Sequence, residues 1–194
     1  MSSREDILKS VKEHTRVRHE MPSLALEGAL TYEDKIKTFC EMEKVVGGQA
    51  HVLKEGESID EVILKYYPDA KRIASALPEI KCATYNPNDV EKVQDLNGTD
   101  VAVVQGKIGV AENAAVWVAQ EVEKFKAVYF IAEALVLLVD RKNIMTNMNE
   151  AYEWLSKESY KFGAFISGPS KTADIEQALV FGAHGARQVL VILT

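Results

Sequence analysis

Val101-Ala102-Val103-Val104 is a run of four apolar residues, three of them β-branched. Such a run reads as a strand buried on both faces, the usual state of a strand in a parallel sheet. Working toward the N-terminus, Asp89 to Leu96 reads as a short helix closed by Asn97-Gly98. Lys71 to Ser75 reads as a strand. Ser58 to Leu64 reads as a helix, with Ser58 as cap and Glu61 in the capping-box position. Ala50 to Leu53 is a further strand. Toward the C-terminus, Ile108 to Val118 gives two strand arms around Glu112-Asn113, and Met148 to Leu155 a helix. Ala164 to Ile166 is a strand, Ile175 to Phe181 a helix, and Val189 to Leu193 the last strand. Between them, Val128 to Ile131 and Leu135 to Val139 are expected as two strands. Their β-branched content favours that over one helix spanning Glu121 to Val139. Strands alternating with helical patterns at this spacing predict an α/β layer fold with a largely parallel sheet.

The front of the chain differs. Ile7, Leu8 and Val11 begin a helical stripe, which Met21-Pro22 and the Gly28 region interrupt. Thr31 is then expected as an N-cap, with Asp34 in the capping-box position. Ile36, Phe39, Cys40, Val45 and Val46 carry a helix that Gly47-Gly48 stops. Residues 1–48 are therefore expected as a helical segment packed on an α/β domain of residues 49–194.

Composition narrows the function. The 194 residues are 47% hydrophobic and 27% charged, ordinary for one globular domain with a real core. Twenty-three basic against 29 acidic residues leave a net charge of −6. The basic residues are scattered, the densest spot being Arg16-Val17-Arg18-His19, which argues against a nucleic-acid surface. Cys40 and Cys82 form no CxxC pattern and are too few to hold an iron–sulfur cluster or a structural zinc. His14, His19 and His51 lie far from His184 in sequence, so no metal site is expected. The polar start without an apolar h-region predicts a cytoplasmic protein with reduced thiols. The most apolar stretch, Ala127 to Val139, is broken by Glu133 and too short to span a membrane. A homo-oligomer is compatible with all of this.

Three patches carry candidate chemistry. Ser167-Gly168-Pro169-Ser170-Lys171-Thr172-Ala173-Asp174-Ile175-Glu176 reads as a strand-to-helix loop of small and hydroxylated residues. Ligands of open α/β sheets bind in such loops, where backbone N–H groups with the Ser170 and Thr172 hydroxyls can hold an anion. The same residues also suit plain helix capping. In Gly182-Ala183-His184-Gly185 the histidine is either a proton carrier or a turn residue. Glu112, inside an apolar segment, is either an acid, base or nucleophile or a carboxylate accepting turn N–H bonds. Trp117 and Trp154 sit in apolar patterns and read as core.

Taken together, Ser167 to Glu176, Gly182 to Gly185 and Ala111-Glu112-Asn113 resemble the signature of the LUD-domain, or lactate-utilization, family. The resemblance implies a Rossmann-like three-layer α/β sandwich related to the ribose-phosphate isomerase and CoA-transferase group, with helices in front. It implies a component of an L-lactate-oxidising complex that binds a small ligand while iron–sulfur clusters sit on partner subunits. Glu112, Asp174 and His184 become the candidate catalytic residues. Asn113, Ser167, Gly168, Pro169, Ser170, Thr172, Glu176 and Gly185 become the candidate ligand-binding set. The fold relatives suggest an alternative: a stand-alone enzyme acting on an acyl-CoA or nucleotide-activated substrate, with Glu112 as nucleophile or base. A regulatory module is a third reading. The family usually has glycine after the Glu-Asn patch and proline after His-Gly; this chain has Ala114-Ala115 and Ala186.

Overall fold

A computed structural model describes residues 3–15, 28, 30–120, 123–175 and 178–194. Its centre is a five-stranded, all-parallel sheet. The apolar runs supply the strands: β1 (Gln49–Val52), β2 (Ile73–Ser75), β3 (Val101–Gln105), β6 (Ala134–Val139) and β11 (Gln188–Leu193). Their spatial order is β1-β11-β6-β3-β2. The register sets Val103 beside Val136 and Val136 beside Leu190. Every residue of β6 is buried, as the unbroken apolar pattern requires.

Alternation along the strands divides the core. Val101, Val103, Val136, Leu138, Leu190 and Ile192 face helix α3 (Ile59–Tyr66), which brings Val62 and Ile63. Ala102, Val104, Leu135, Leu137, Val191 and Leu193 face the opposite side. That side is covered by Phe39 of α2 (Lys35–Val45), by Tyr129 and by a second, four-stranded sheet. The second sheet has the order β7-β4-β5-β8, built from β4 (Ile108–Val110), β5 (Ala115–Ala119), β7 (Ile144–Met145) and β8 (Gly163–Ile166). Helix α5 (Met148–Leu155) packs Ala151 and Leu155 on its outer face, against Ile108, Val110 and Trp117. This is the expected mixed α/β sandwich with a parallel sheet at its centre. Helix α1 (Ser3–His14) forms as its stripe predicts and buries none of its residues.

Several local expectations are corrected. Val128–Ile131 is one helical turn, α4, not a strand. Its β-branched residues yield to position: the turn packs Val128 and Tyr129 against the sheet, and that burial outweighs a weak propensity. Ile175 to Phe181 is not a helix. Lys171–Ile175 (β9) and Ala178–Phe181 (β10) pair as an antiparallel ribbon, with Val180 opposite Thr172 and Phe181 opposite Lys171. Thr172, Ile175, Val180 and Phe181 all suit strands, and a seven-residue window is too short for periodicity to separate the two states. The cap of α2 is Asp34, whose carboxylate accepts from Lys37 N–H at 2.9 Å, not Thr31 three residues earlier. Ser58 holds the cap position of α3 without a side-chain bond. Only Val93–Leu96 of the Asp89–Leu96 stretch is helical, as a 3-10 turn. The Arg16–His19 basic spot and the Met21-Pro22 break lie outside the described residues.

Candidate ligand-binding site

The motif segment leaves the carboxyl end of β8 and returns as the amino end of β11. Two backbone bonds lace it: Ser170 N–H donates to Ala186 O at 2.8 Å, and Gly182 N–H donates to Ser170 O at 3.0 Å. These bonds lay Ser167–Ser170 alongside His184–Ala186, two stretches far apart in sequence. Gly168 makes the turn possible: its φ is +60°, and a Cβ there would stand 2.6 Å from the carbonyl oxygen of Val46.

The pair closes a cavity of about 250 Å³. Ser167, Gly168, Pro169, Ser170, His184 and Gly185 form its polar side, all of them candidate residues. Tyr129, Phe130 and Phe165 supply an aromatic wall, and Leu135 and Val189 a floor from the starts of β6 and β11. The cavity thus lies at the amino ends of the parallel strands. The expected helix N-terminus is absent, because a ribbon stands where that helix was expected. His184 lines the cavity and is exposed to solvent. Among the described residues no carboxylate lines it.

The other candidates are placed differently. Glu112 is half-buried and does not line the cavity. Its Oε2 accepts from Met148 N–H at 2.9 Å, holding the start of α5. Asn113 forms an Asx turn, accepting from Ala115 N–H at 3.1 Å. Its carbonyl accepts from the Ser167 hydroxyl at 2.7 Å, which couples this patch to the motif. Thr172 spends its hydroxyl across the ribbon, donating to Val180 O at 3.3 Å. Glu176 and the side chain of Asp174 lie outside the described residues.

Two participants escape a reading of the sequence. Tyr129 enters the wall only because α4 is helical. Its hydroxyl donates to buried Glu123 at 2.7 Å. Glu43 is fully buried beneath the motif with neither carboxylate oxygen hydrogen bonded. The signal for it was present: Ile36, Phe39 and Glu43 recur at helical spacing on the apolar face of α2.

A wider cleft of about 630 Å³ opens beside Tyr66, Tyr67 and Arg187. Asp69, Asp100 and Glu133 line it, which disfavours an anion, and Asp100 already accepts from the Lys71 and Arg72 N–H groups at 2.8 Å each. Cys40 and Cys82 pack on opposite faces of the parallel sheet. Burial raises both thiols above the usual range, Cys82 to about 12 with a further push from Asp60. Among the described residues no group of three or more His, Cys, Asp or Glu side chains could hold a metal, and no helix is long and apolar enough to cross a membrane.

The family model of the LUD domain matches residues 36–194. The chain belongs to the LUD domain family. A lactate utilization protein C of Geobacillus kaustophilus is 28% identical over 100 residues, covering 48% of this chain and 42% of that protein. One from Bacillus pumilus is 29% identical over 99 residues, covering 47% and 41%. An uncharacterized protein of Neisseria meningitidis is 26% identical over 107 residues, covering 54% and 46%. The matches thus take in about half of each relative's length. A crystal structure of a DUF162 family protein from Deinococcus radiodurans shares the fold, with a TM-score of 0.66. It is 16% identical and aligns over 84% of this chain and 98% of that one. The LUD-domain match takes in α2 and everything after it, so Glu43 and the cavity both lie within the family region.

Proposed function

We propose that this LUD-domain chain serves lactate utilization as a component that binds a small 2-hydroxy or 2-oxo carboxylate. The observation that carries this reading is the cavity between Ser167–Ser170 and His184–Ala186. Its size suits a small organic acid. The Ser170 hydroxyl and the His184 imidazole offer hydrogen bonds to a carboxylate, and the aromatic wall accepts an apolar end. The names of the relatives from Geobacillus and Bacillus support lactate as the physiological context. The electrons of lactate oxidation then pass to iron–sulfur clusters on partner subunits, since two cysteines on opposite faces of a sheet do not make a cluster site here. The chain works in the cytoplasm in this reading. Glu112 has a structural task, accepting from the Met148 N–H at the start of α5, and its place outside the cavity weighs against a stand-alone enzyme that uses it as nucleophile.

The test is affinity capture of the tagged chain from its native host grown on L-lactate. Stoichiometric recovery of iron–sulfur subunits is the expected result. Recovery of the chain alone, under conditions that keep other complexes intact, would overturn the assignment to a complex.

A further inference from the structure

The end of α2 is pressed against the motif. Gly48 covers the Glu43 side chain so closely that a Cβ on it would stand 2.4 Å from Oε1. Two residues before Gly48, the carbonyl of Val46 accepts from the Lys171 ammonium and lies under Gly168. Glu43, Val46 and Gly48 on one side and Gly168 and Lys171 on the other therefore share one joint. A fully buried carboxylate with no hydrogen bond is costly in its charged form. The group keeps its proton unless a cation reaches it, and the facing cation is Lys171 from β9. On its own helix the Cys40 thiol, one turn back, is electrostatically coupled to Glu43, and burial raises it.

We propose that Glu43 is a positioning residue for the ligand loop. Its proton state decides whether Lys171 holds the Val46 carbonyl or the Glu43 carboxylate, and that choice sets the seat of Gly168–Ser170 at the cavity. The proposal rests on reading that cavity as the ligand site. With Glu43 protonated, Lys171 ties the motif to the end of α2 through a backbone carbonyl, as observed. Loss of the proton puts a negative charge beneath the loop. Lys171 is then drawn inward, and the loop residues next to it move.

The pH range follows from burial, which pushes the Glu43 carboxyl from 4.5 to about 8, with Lys171 opposing the rise. The folded chain thus keeps a proton that the unfolded chain has lost. Stability on this account falls as pH rises from about 4.5 to about 8 and levels off above that.

The experiment is an NMR pH titration of the full chain across the neutral to alkaline range. It follows the Glu43 carboxyl carbon and the Gly168 and Ser170 amides, and L-lactate affinity is measured at each pH. In the wild type the carboxyl and both amides are expected to move in one step, with a severalfold change in affinity through it. In Glu43→Gln the step is expected to vanish from the amides and the affinity. In Lys171→Met, Glu43 should still titrate, at higher pH, while the amides no longer follow; this variant keeps the test open if Glu43→Gln fails to fold. Glu43 titrating in the wild type without moving the amides, or an unchanged amide step in Glu43→Gln, would overturn the proposal. If L-lactate binds at no pH but the amide step still depends on Glu43, the switch stands and the ligand reading fails. If L-lactate binds with an unchanged pH profile in Glu43→Gln, the ligand reading stands and the switch fails.

Discussion

In the parallel sheet all of β6 is buried, and β11 is buried from Val189 to Leu193. Among the described residues between Ser167 and Arg187, exposed, half-buried and buried side chains are mixed, and the stretch is laced by backbone bonds at Ser170 and Gly182. The first region owes its form to apolar burial, which is non-directional and tolerant of which apolar residue does the burying. The second owes its form to particular atoms: a glycine at φ +60°, the Val46 carbonyl at the end of α2, and the Ser167 hydroxyl donating to the Asn113 carbonyl. Disturbance of the first should cost stability and leave the site's geometry alone. Disturbance of the second should cost the site more than the fold.

The largest effect belongs to the sheet. Leu137→Ala removes a fully buried side chain from the middle of β6 and should cost about 3–5 kcal/mol, read from denaturant unfolding. The fraction that stays folded should keep its ligand affinity. Next is Gly168→Ala. A Cβ there combines left-handed backbone strain with a clash against Val46 O, and about 2–4 kcal/mol of stability should be lost. Ligand affinity should fall with it, which Leu137→Ala should not show. The smallest effect is at Ala114, where φ is +54° in a buried non-glycine residue. Ala114→Gly should relieve that strain against a comparable entropy cost and change the thermal midpoint by less than about 1 kcal/mol equivalent. A large loss there would mean that the methyl group's packing, not its backbone, governs the Asn113 turn.

The contrast also explains what could be read in advance. β3, β6 and β11 were legible because four or more consecutive apolar residues leave one physical solution, burial on both faces. Helix α5 runs from Met148 to Leu155 as its pattern predicts. Family membership was legible from Ser167–Glu176 and Gly182–Gly185, because a fixed run of special residues is rarer than any periodicity. The shape of that run was not. Its helical appearance came from Ile175, Ala178, Leu179 and Gly182, whereas pairing of Thr172 with Val180 decided the structure, and pairing partners leave no local trace. Gathering Ser167–Ser170 with His184–Gly185 in one cavity depended on a bond between Ser170 and Ala186, sixteen positions apart. Glu43 was hidden for the opposite reason: a charged residue on an apolar helical face looks like a break in the pattern until the partner that buries it is known.

The measurement that tests the central claim most directly is an NMR titration of the isotope-labelled chain with L-lactate, and with pyruvate as its oxidised counterpart. The account predicts saturable shifts confined to Ser167–Ser170, His184–Ala186 and the Tyr129 wall, greatly reduced in Ser170→Ala with the fold intact. Shifts centred instead on Tyr66, Tyr67 and Arg187, or none at either place, would contradict it.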